Sequence, residues 1–226
     1  MKQGLSIILI LLLAVGCKLK SETANKINEG IITYDVSYFS TEKDNPIIAL
    51  LPNKVELRFK DNNICLISEG YLGFFSTKFI SKYKNKSSNI LLKVLSNKLN
   101  YEFPKDEVAF VYSQLPPTKI KYQDSTKQIA GYECKQATIY FDDQAKTKVE
   151  LYYTKDIELK DPNRNTPLYK IPGVLMEFET TMNQVKTKFT AQSVNLNAVS
   201  EEIFNVPEEY VLSDLKTLKK YIVDFN

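Results

Sequence analysis

The feature that most constrains this chain is an alternation of period two, in which apolar, β-branched or aromatic residues fill every second position of short runs closed by Asn, Asp and Lys clusters. Gly30-Ile31-Ile32-Thr33-Tyr34-Asp35-Val36-Ser37-Tyr38 is the first such run, and Val55-Glu56-Leu57-Arg58-Phe59-Lys60 alternates cleanly. Successive side chains of an extended strand point to opposite faces, so this period predicts half-buried β-structure. After Lys60, Asp61-Asn62-Asn63 supplies turn residues and Ile64-Cys65-Leu66-Ile67-Ser68 returns, which predicts a β-hairpin. Further strands are expected at Gly73 to Ser81, Ile90 to Ser96, Lys98 to Phe103, Lys119 to Gln123, Tyr132 to Phe141, Lys148 to Thr154, Leu175 to Thr181 and Lys186 to Val194.

Eight to eleven strands with short polar connections imply an antiparallel sheet, because parallel strands require helical crossovers and the sequence offers none. Ser213-Asp214 followed by Leu215, Leu218, Lys219, Tyr221 and Ile222 predicts an N-capped amphipathic helix at the carboxyl end. Asp106 to Gln114 suits a helical turn before Pro116-Pro117 stops it. Ile90, Leu91, Val94 and Leu95 fit a helix face as well as a strand. A sheet of this size must bury one face, and with few helices it has to curl around what it has. The expected fold is therefore mainly β (α+β), a large curved antiparallel sheet or incompletely closed β-barrel with a C-terminal helix.

The amino terminus lies outside this pattern. Met1-Lys2 gives a positive start, Ile7 to Val15 is an unbroken apolar run, and small residues follow at Gly16 and Cys17. The run is too short for a stable transmembrane span and has the layout of an export signal. Leu13-Ala14-Val15-Gly16-Cys17 matches a bacterial lipobox, so residues 1–16 are read as a lipoprotein signal peptide and Cys17 as the lipidated first residue of the mature protein. Acyl chains on Cys17 bury CH₂ groups at about 0.8 kcal/mol each and tie the protein to a membrane. Residues 17–28 are polar and read as a tether, and 29–226 as one β-rich domain without a Pro-, Gly- or Ser-rich linker.

What the chain lacks narrows its chemistry. It contains no His, which removes Ser-His and Cys-His dyads, His-bearing zinc sites and the usual general base near neutral pH. Lys+Arg 30 against Asp+Glu 27 gives a formal charge of +3, so nucleic acid is not the expected partner. Adjacent carboxylates such as Asp142-Asp143, Glu201-Glu202 and Glu208-Glu209 point apart in extended chain and suit solvated loops. Phosphate-binding loops and nucleophile elbows are absent from the sequence. No catalytic residue, metal or cofactor is expected. Cys65 and Cys134 sit in apolar segments, either as one disulfide or as two separate buried thiols.

Three stretches carry a family resemblance: Gly30-Ile31-Ile32-Thr33-Tyr34, Lys127-Gln128-Ile129-Ala130-Gly131-Tyr132-Glu133-Cys134-Lys135 and Phe204-Asn205-Val206-Pro207-Glu208-Glu209-Tyr210. With the lipobox, and in this order along nearly the whole mature chain, they resemble a large set of bacterial outer-membrane and periplasmic lipoproteins of unassigned biochemistry. That set is similar to the LolA/LolB superfamily of lipoprotein carriers. The resemblance implies an incompletely closed antiparallel barrel wrapped around helices, with an apolar concave side able to take acyl chains. Lys18 stands where some inner-membrane lipoproteins carry Asp, which favours the outer membrane, facing the periplasm.

The aromatic stretch Tyr71-Leu72-Gly73-Phe74-Phe75, followed by Phe79, Ile80 and Tyr83, is the richest in the chain. Phe74, Phe75, Phe79, Tyr83, Tyr132 and Phe178 are the candidate ligand contacts. Gly131 is read as a turn residue, and Phe204, Val206-Pro207 and Tyr210 as packing that holds the last loop to the barrel. The expectation is a membrane-anchored, non-enzymatic lipoprotein that binds a lipid or other hydrophobic ligand in a concave apolar cavity. The competing expectation is a structural module that docks an envelope protein, its interior filled by its own side chains.

Overall fold

The computed structural model describes residues 27–223 apart from 42, 44, 74, 106, 108, 110–118, 142–145 and 183–184. The signal segment, Cys17, nearly all of the tether, Phe74, most of the turn expected from Asp106 to Gln114, and Asp142-Asp143 therefore lie outside the described residues.

Twelve strands form a single sheet: β1 Glu29–Tyr38, β2 Lys54–Lys60, β3 Asn63–Glu69, β4 Phe75–Lys82, β5 Ser87–Val94, β6 Asn97–Phe103, β7 Lys119–Ile129, β8 Tyr132–Tyr140, β9 Lys148–Thr154, β10 Val174–Met182, β11 Val185–Asn195 and β12 Val211–Leu212. Among the described residues one α-helix, α1, follows at Leu215–Val223. The strand order is β12-β6-β5-β4-β3-β2-β1-β11-β10-β9-β8-β7. Neighbours are antiparallel except for β12, which lies parallel to β6. The sheet is curved and open, with β7 and β12 as its edges.

Short polar turns set the register. Lys60 pairs with Asn63 and Ile129 with Tyr132, which leaves the two-residue loops Asp61-Asn62 and Ala130-Gly131. Their φ values are 49° and 67° in the first loop and 50° and 85° in the second. Two positive φ angles in succession give a turn whose twist matches that of the flanking strands. Gly131 thus fills the turn role expected of it. Gly30 has a different reason: a Cβ there would stand 2.8 Å from the Asn195 carbonyl oxygen and 3.0 Å from the ring of fully buried Phe59.

The run from Ile90 is strand β5 and is buried on both faces. Ile90, Leu92 and Val94 enter one apolar cluster while Leu91 enters another on the opposite side. A strand covered twice has no polar face, so its apolar positions fit helical spacing as well.

Most of the inner face of the curl is packed by a connection, with α1 covering part of the rest. Residues 155–173, between β9 and β10, send Ile157 and Leu159 into the cluster of Ile32, Phe59 and Phe189. The same segment sends Leu168 and Ile171 against Ile139, Leu151 and Leu175. A bulge in β10 between Leu175 and Glu177 allows Leu175 and Met176 both to bury.

The carboxyl end wraps one sheet edge. Residues 198–210 cross the outer face, where Phe204, 2% exposed, packs on Cys65, Ile80 and Leu91 with Val206 and Tyr210 beside it. This is the packing role expected of Phe204, placed on the outer face. β12 then lies along β6, and α1 turns onto the inner face, where Leu218 joins Ile90, Leu92 and Phe103. Asp214 caps the helix by accepting from the Thr217 amide at 2.7 Å.

Of the two arrangements expected for Cys65 and Cys134, the structure has the second and not the disulfide: both are free, fully buried thiols in two separate clusters. Burial pushes the Cys65 thiol up to about 12 and the Cys134 thiol up to about 11.

Candidate functional site

Directly opposed residues of adjacent strands share a face, so the pairing lays out the inner surface of β1 to β6 as rows. The central row is Ile32, Leu57, Leu66, Phe79, Ile90 and Tyr101. Beside it runs Tyr34, Val55, Ser68, Thr77, Leu92 and Leu99. On the other side lie Gly30, Phe59, Ile64, Ser81, Ser88 and Phe103. None of these eighteen positions carries a charge.

Burial along the central row is uneven. Ile32 and Ile90 are buried, whereas Leu57, Leu66, Phe79 and Tyr101 are half-buried, as are the neighbouring Phe75 and Leu99. Phe79 and Tyr101 make edge-on contacts with Phe103 at ring-centroid distances of 6.0 and 5.0 Å. This strip of aliphatic and aromatic carbon is incompletely covered by the protein, and it faces inward.

The third row explains why hydroxyls interrupt an apolar face. The Ser88 Oγ–H donates to Asn165 Oδ1 at 2.8 Å, and Ser81 Oγ lies 3.3 Å from the same oxygen. Asn165 Nδ2 donates to the Glu107 carbonyl at 2.8 Å. Arg164 reaches the same place, donating through Nε to Ser81 Oγ at 2.6 Å and through Nη2 to the Asn62 carbonyl at 2.9 Å and to the Ser81 carbonyl. Its ring neighbour is Tyr83, 5.7 Å from the guanidinium. Burial lowers the Arg164 pKa to about 10 against the opposing pull of Asp161 and Tyr83. The 155–173 segment is thus fastened across one end of the curled sheet.

At the opposite end, the connections β1–β2, β3–β4 and β5–β6 carry exposed apolar side chains: Phe39, Leu50, Leu72 at 70% exposure and Leu95 at 63%. Hairpin tips on successive strand pairs are about 10 Å apart, so these residues form a line along one rim. Lys186 stands over the Phe39 ring at 4.1 Å.

The structure divides the candidate contacts. Phe75 and Phe79 lie on the inner strip. Phe178 is also on the inner face but across the sheet, stacked on Phe189 at 4.9 Å and edge-on to Tyr34 at 6.2 Å. Tyr132, at the start of β8, packs at the margin of the cluster around Phe59. Tyr83 is in the β4–β5 turn beside Arg164, at the fastened end. Leu57, Leu66, Leu99 and Tyr101 were not among the candidates. The turn at Asp61-Asn62 was a usable signal for two of them, since a two-residue loop there places Leu57 opposite Leu66.

Among the described residues, no three His, Cys, Asp or Glu side chains stand close enough to hold a metal ion. None of the described helices is long and apolar enough to cross a membrane.

No protein-family model and no curated protein matches the chain. Among solved structures it is similar to the crystal structure of LprF from Mycobacterium bovis, with 9% identity over 82% of this chain and 91% of that one and a TM-score of 0.30.

Proposed function

We propose that the inner face of this sheet takes up an acyl chain or another elongated hydrophobic molecule. The protein is held to the outer membrane by lipid on Cys17 and faces the periplasm. The observation that carries the reading is the half-buried strip of Leu57, Leu66, Phe75, Phe79, Leu99 and Tyr101, which has no charged neighbour in its rows. Apolar surface gains about 25 cal/mol per Å² when covered, so a guest that removes about 200 Å² from water gains about 5 kcal/mol before the entropy of binding is subtracted.

The direction of entry follows from the two ends. Residues 155–173 obstruct one of them, and the exposed Phe39, Leu50, Leu72 and Leu95 ring the other, so the guest enters past the apolar rim. This activity is binding without bond-breaking and requires no general base.

Native mass spectrometry of the protein with Cys17→Ser, released without detergent, should reveal a co-purifying lipid mass, and a fluorescent fatty acid should bind and be displaced by unlabelled fatty acid. Leu66→Thr keeps a strand-forming residue but removes apolar area from the strip, and should weaken the probe about tenfold. Lys121→Thr, away from the strip, should leave the probe's affinity unchanged. A protein that carries no lipid and binds no probe overturns the reading.

A further inference from the structure

A second site lies on the outer face, separate from the strip. Ile31 on β1 and Arg58 on β2 are directly opposed, so their side chains stand side by side. Residues 198–203 pass above them and leave a cleft of about 260 Å³ lined by Ile31, Arg58, Val199, Ser200, Glu202 and Ile203, with Ala198 at its margin.

The far wall of this cleft is fixed in place. The Val199 amide donates to Glu29 Oε2 at 3.4 Å, and the Val199 carbonyl accepts from Lys60 Nζ at 3.1 Å. Lys60 is also ion-paired to Glu29 at 3.3 Å and to Glu201 at 3.4 Å. Ser200 caps the following turn by accepting from the Glu202 amide at 3.3 Å. Phe204, buried under that turn, anchors its other end.

Arg58 has donors to spare. Its Nε at 3.1 Å and Nη2 at 2.8 Å both point to a single oxygen, Glu56 Oε2, and Nη1 has no hydrogen-bond partner among the described residues. A guanidinium presents five N–H donors in a rigid fork suited to carboxylates. Ile31, Val199 and Ile203 give the same cleft an apolar floor. Glu202 at the rim and Glu56 on the guanidinium oppose a dianion, which disfavours a phosphate.

We propose that this cleft binds an organic monocarboxylate with an apolar body, its carboxylate on Arg58 Nη1 and its side chain on Ile31, Val199 and Ile203. A free apolar amino acid and the end of a peptide chain both present this chemistry. The site does not depend on the inner strip being a lipid site.

Calorimetric titration of the full-length protein with N-acetyl-leucine, leucinamide, leucine and an N-acetylated peptide ending in leucine tests it. N-acetyl-leucine should bind, and leucinamide, which lacks the carboxylate, should bind at least tenfold more weakly. Arg58→Gln should reduce N-acetyl-leucine binding at least tenfold. Glu56→Gln, which frees the guanidinium, should strengthen binding several-fold, and it reports on the site even if Arg58→Gln disturbs the fold. Stronger binding of leucine assigns the free amino acid as the occupant, and stronger binding of the peptide assigns the chain end. Equal affinity for N-acetyl-leucine and leucinamide, no gain on Glu56→Gln, or no binding of any of the four overturns the proposal.

Discussion

The inner face has two wings built from the same kinds of residue and covered in different ways. On β8, β9 and β10, Ala137, Ile139, Leu151 and Met176 have no exposed surface, because Leu168, Ile171 and the rest of the 155–173 segment lie against this wing. On β2 to β6, Leu57, Leu66, Phe79, Leu99 and Tyr101 are no less apolar and remain half-buried. The 155–173 segment lies along one wing and reaches the other only toward its fastened end, where α1 adds Leu218 over Ile90, Leu92 and Phe103. Open apolar surface therefore arises from a shortage of cover and not from a special set of residues.

Truncation should separate the wings most sharply. Leu151→Ala, in the packed wing, should lower unfolding stability by about 3 kcal/mol, the usual cost of a buried large-to-small change. Leu66→Ala, in the open wing, should cost about 1 kcal/mol, since less transfer energy and a smaller void are involved. Urea titration of both variants checks the pair, and equal losses would remove the distinction between the wings.

The fastening itself gives the next effect. Asn165→Ala leaves the buried hydroxyls of Ser81 and Ser88 without their shared acceptor and should cost about 2 kcal/mol. The same variant should also increase proteolytic cutting within 155–173, because that segment loses its tie to β5 and keeps β4 only through Arg164. Cleavage at the wild-type rate would show that the fastening contributes little.

The two thiols probe burial near each wing. Their raised pKa values mean that neutral thiols stabilise the fold fully below the ordinary value of 9.0, and that this contribution is lost as pH rises toward about 11 for Cys134 and about 12 for Cys65. At pH 8, alkylation by iodoacetamide in the native state should run on the order of a hundredfold slower than in urea. Rapid native labelling of one thiol would locate a region that opens.

The smallest effect belongs to the polar outer side of β10. Burial raises the Glu177 pKa, but hydrogen bonds and charge from Lys127 at 2.9 Å and Lys188 at 3.4 Å outweigh it, and the net shift is downward. The ion pairs therefore stabilise above the ordinary carboxylate range and are lost as pH falls below it. Glu177→Gln should cost no more than about 1 kcal/mol at neutral pH and less in high salt. A larger loss in denaturant titration would show that this partly buried network matters more than a surface ion pair does.

Much of the sheet is readable from the sequence because its strands alternate and its turns use Asp61-Asn62 and Ala130-Gly131. Phe204 and the helix at Leu215–Val223 are likewise foreshadowed, by an aromatic in a polar loop and by a capped amphipathic repeat. The segment between β9 and β10 is not readable in this way. Its apolar residues come as two isolated pairs, Ile157 with Leu159 and Leu168 with Ile171, too short to establish either period, and the residues they meet are far away in sequence. For the same reason the candidate contacts are dispersed over the structure. Phe75 and Phe79 are on the strip, but Tyr83 belongs to a fastening whose other members, Arg164 and Asn165, carry no local signal of their partners.

The position of β1 has a consequence for how the molecule comes into being. It lies between β2 and β11, and Thr33 pairs with both Glu56 and Ser193. A chain synthesised amino terminus first can assemble β1 to β6 as a meander of hairpins at once. One side of β1 then has no partner until β11 has emerged. During that interval an open strand edge and a bare apolar surface coexist, the circumstances in which newly made chains stick to one another.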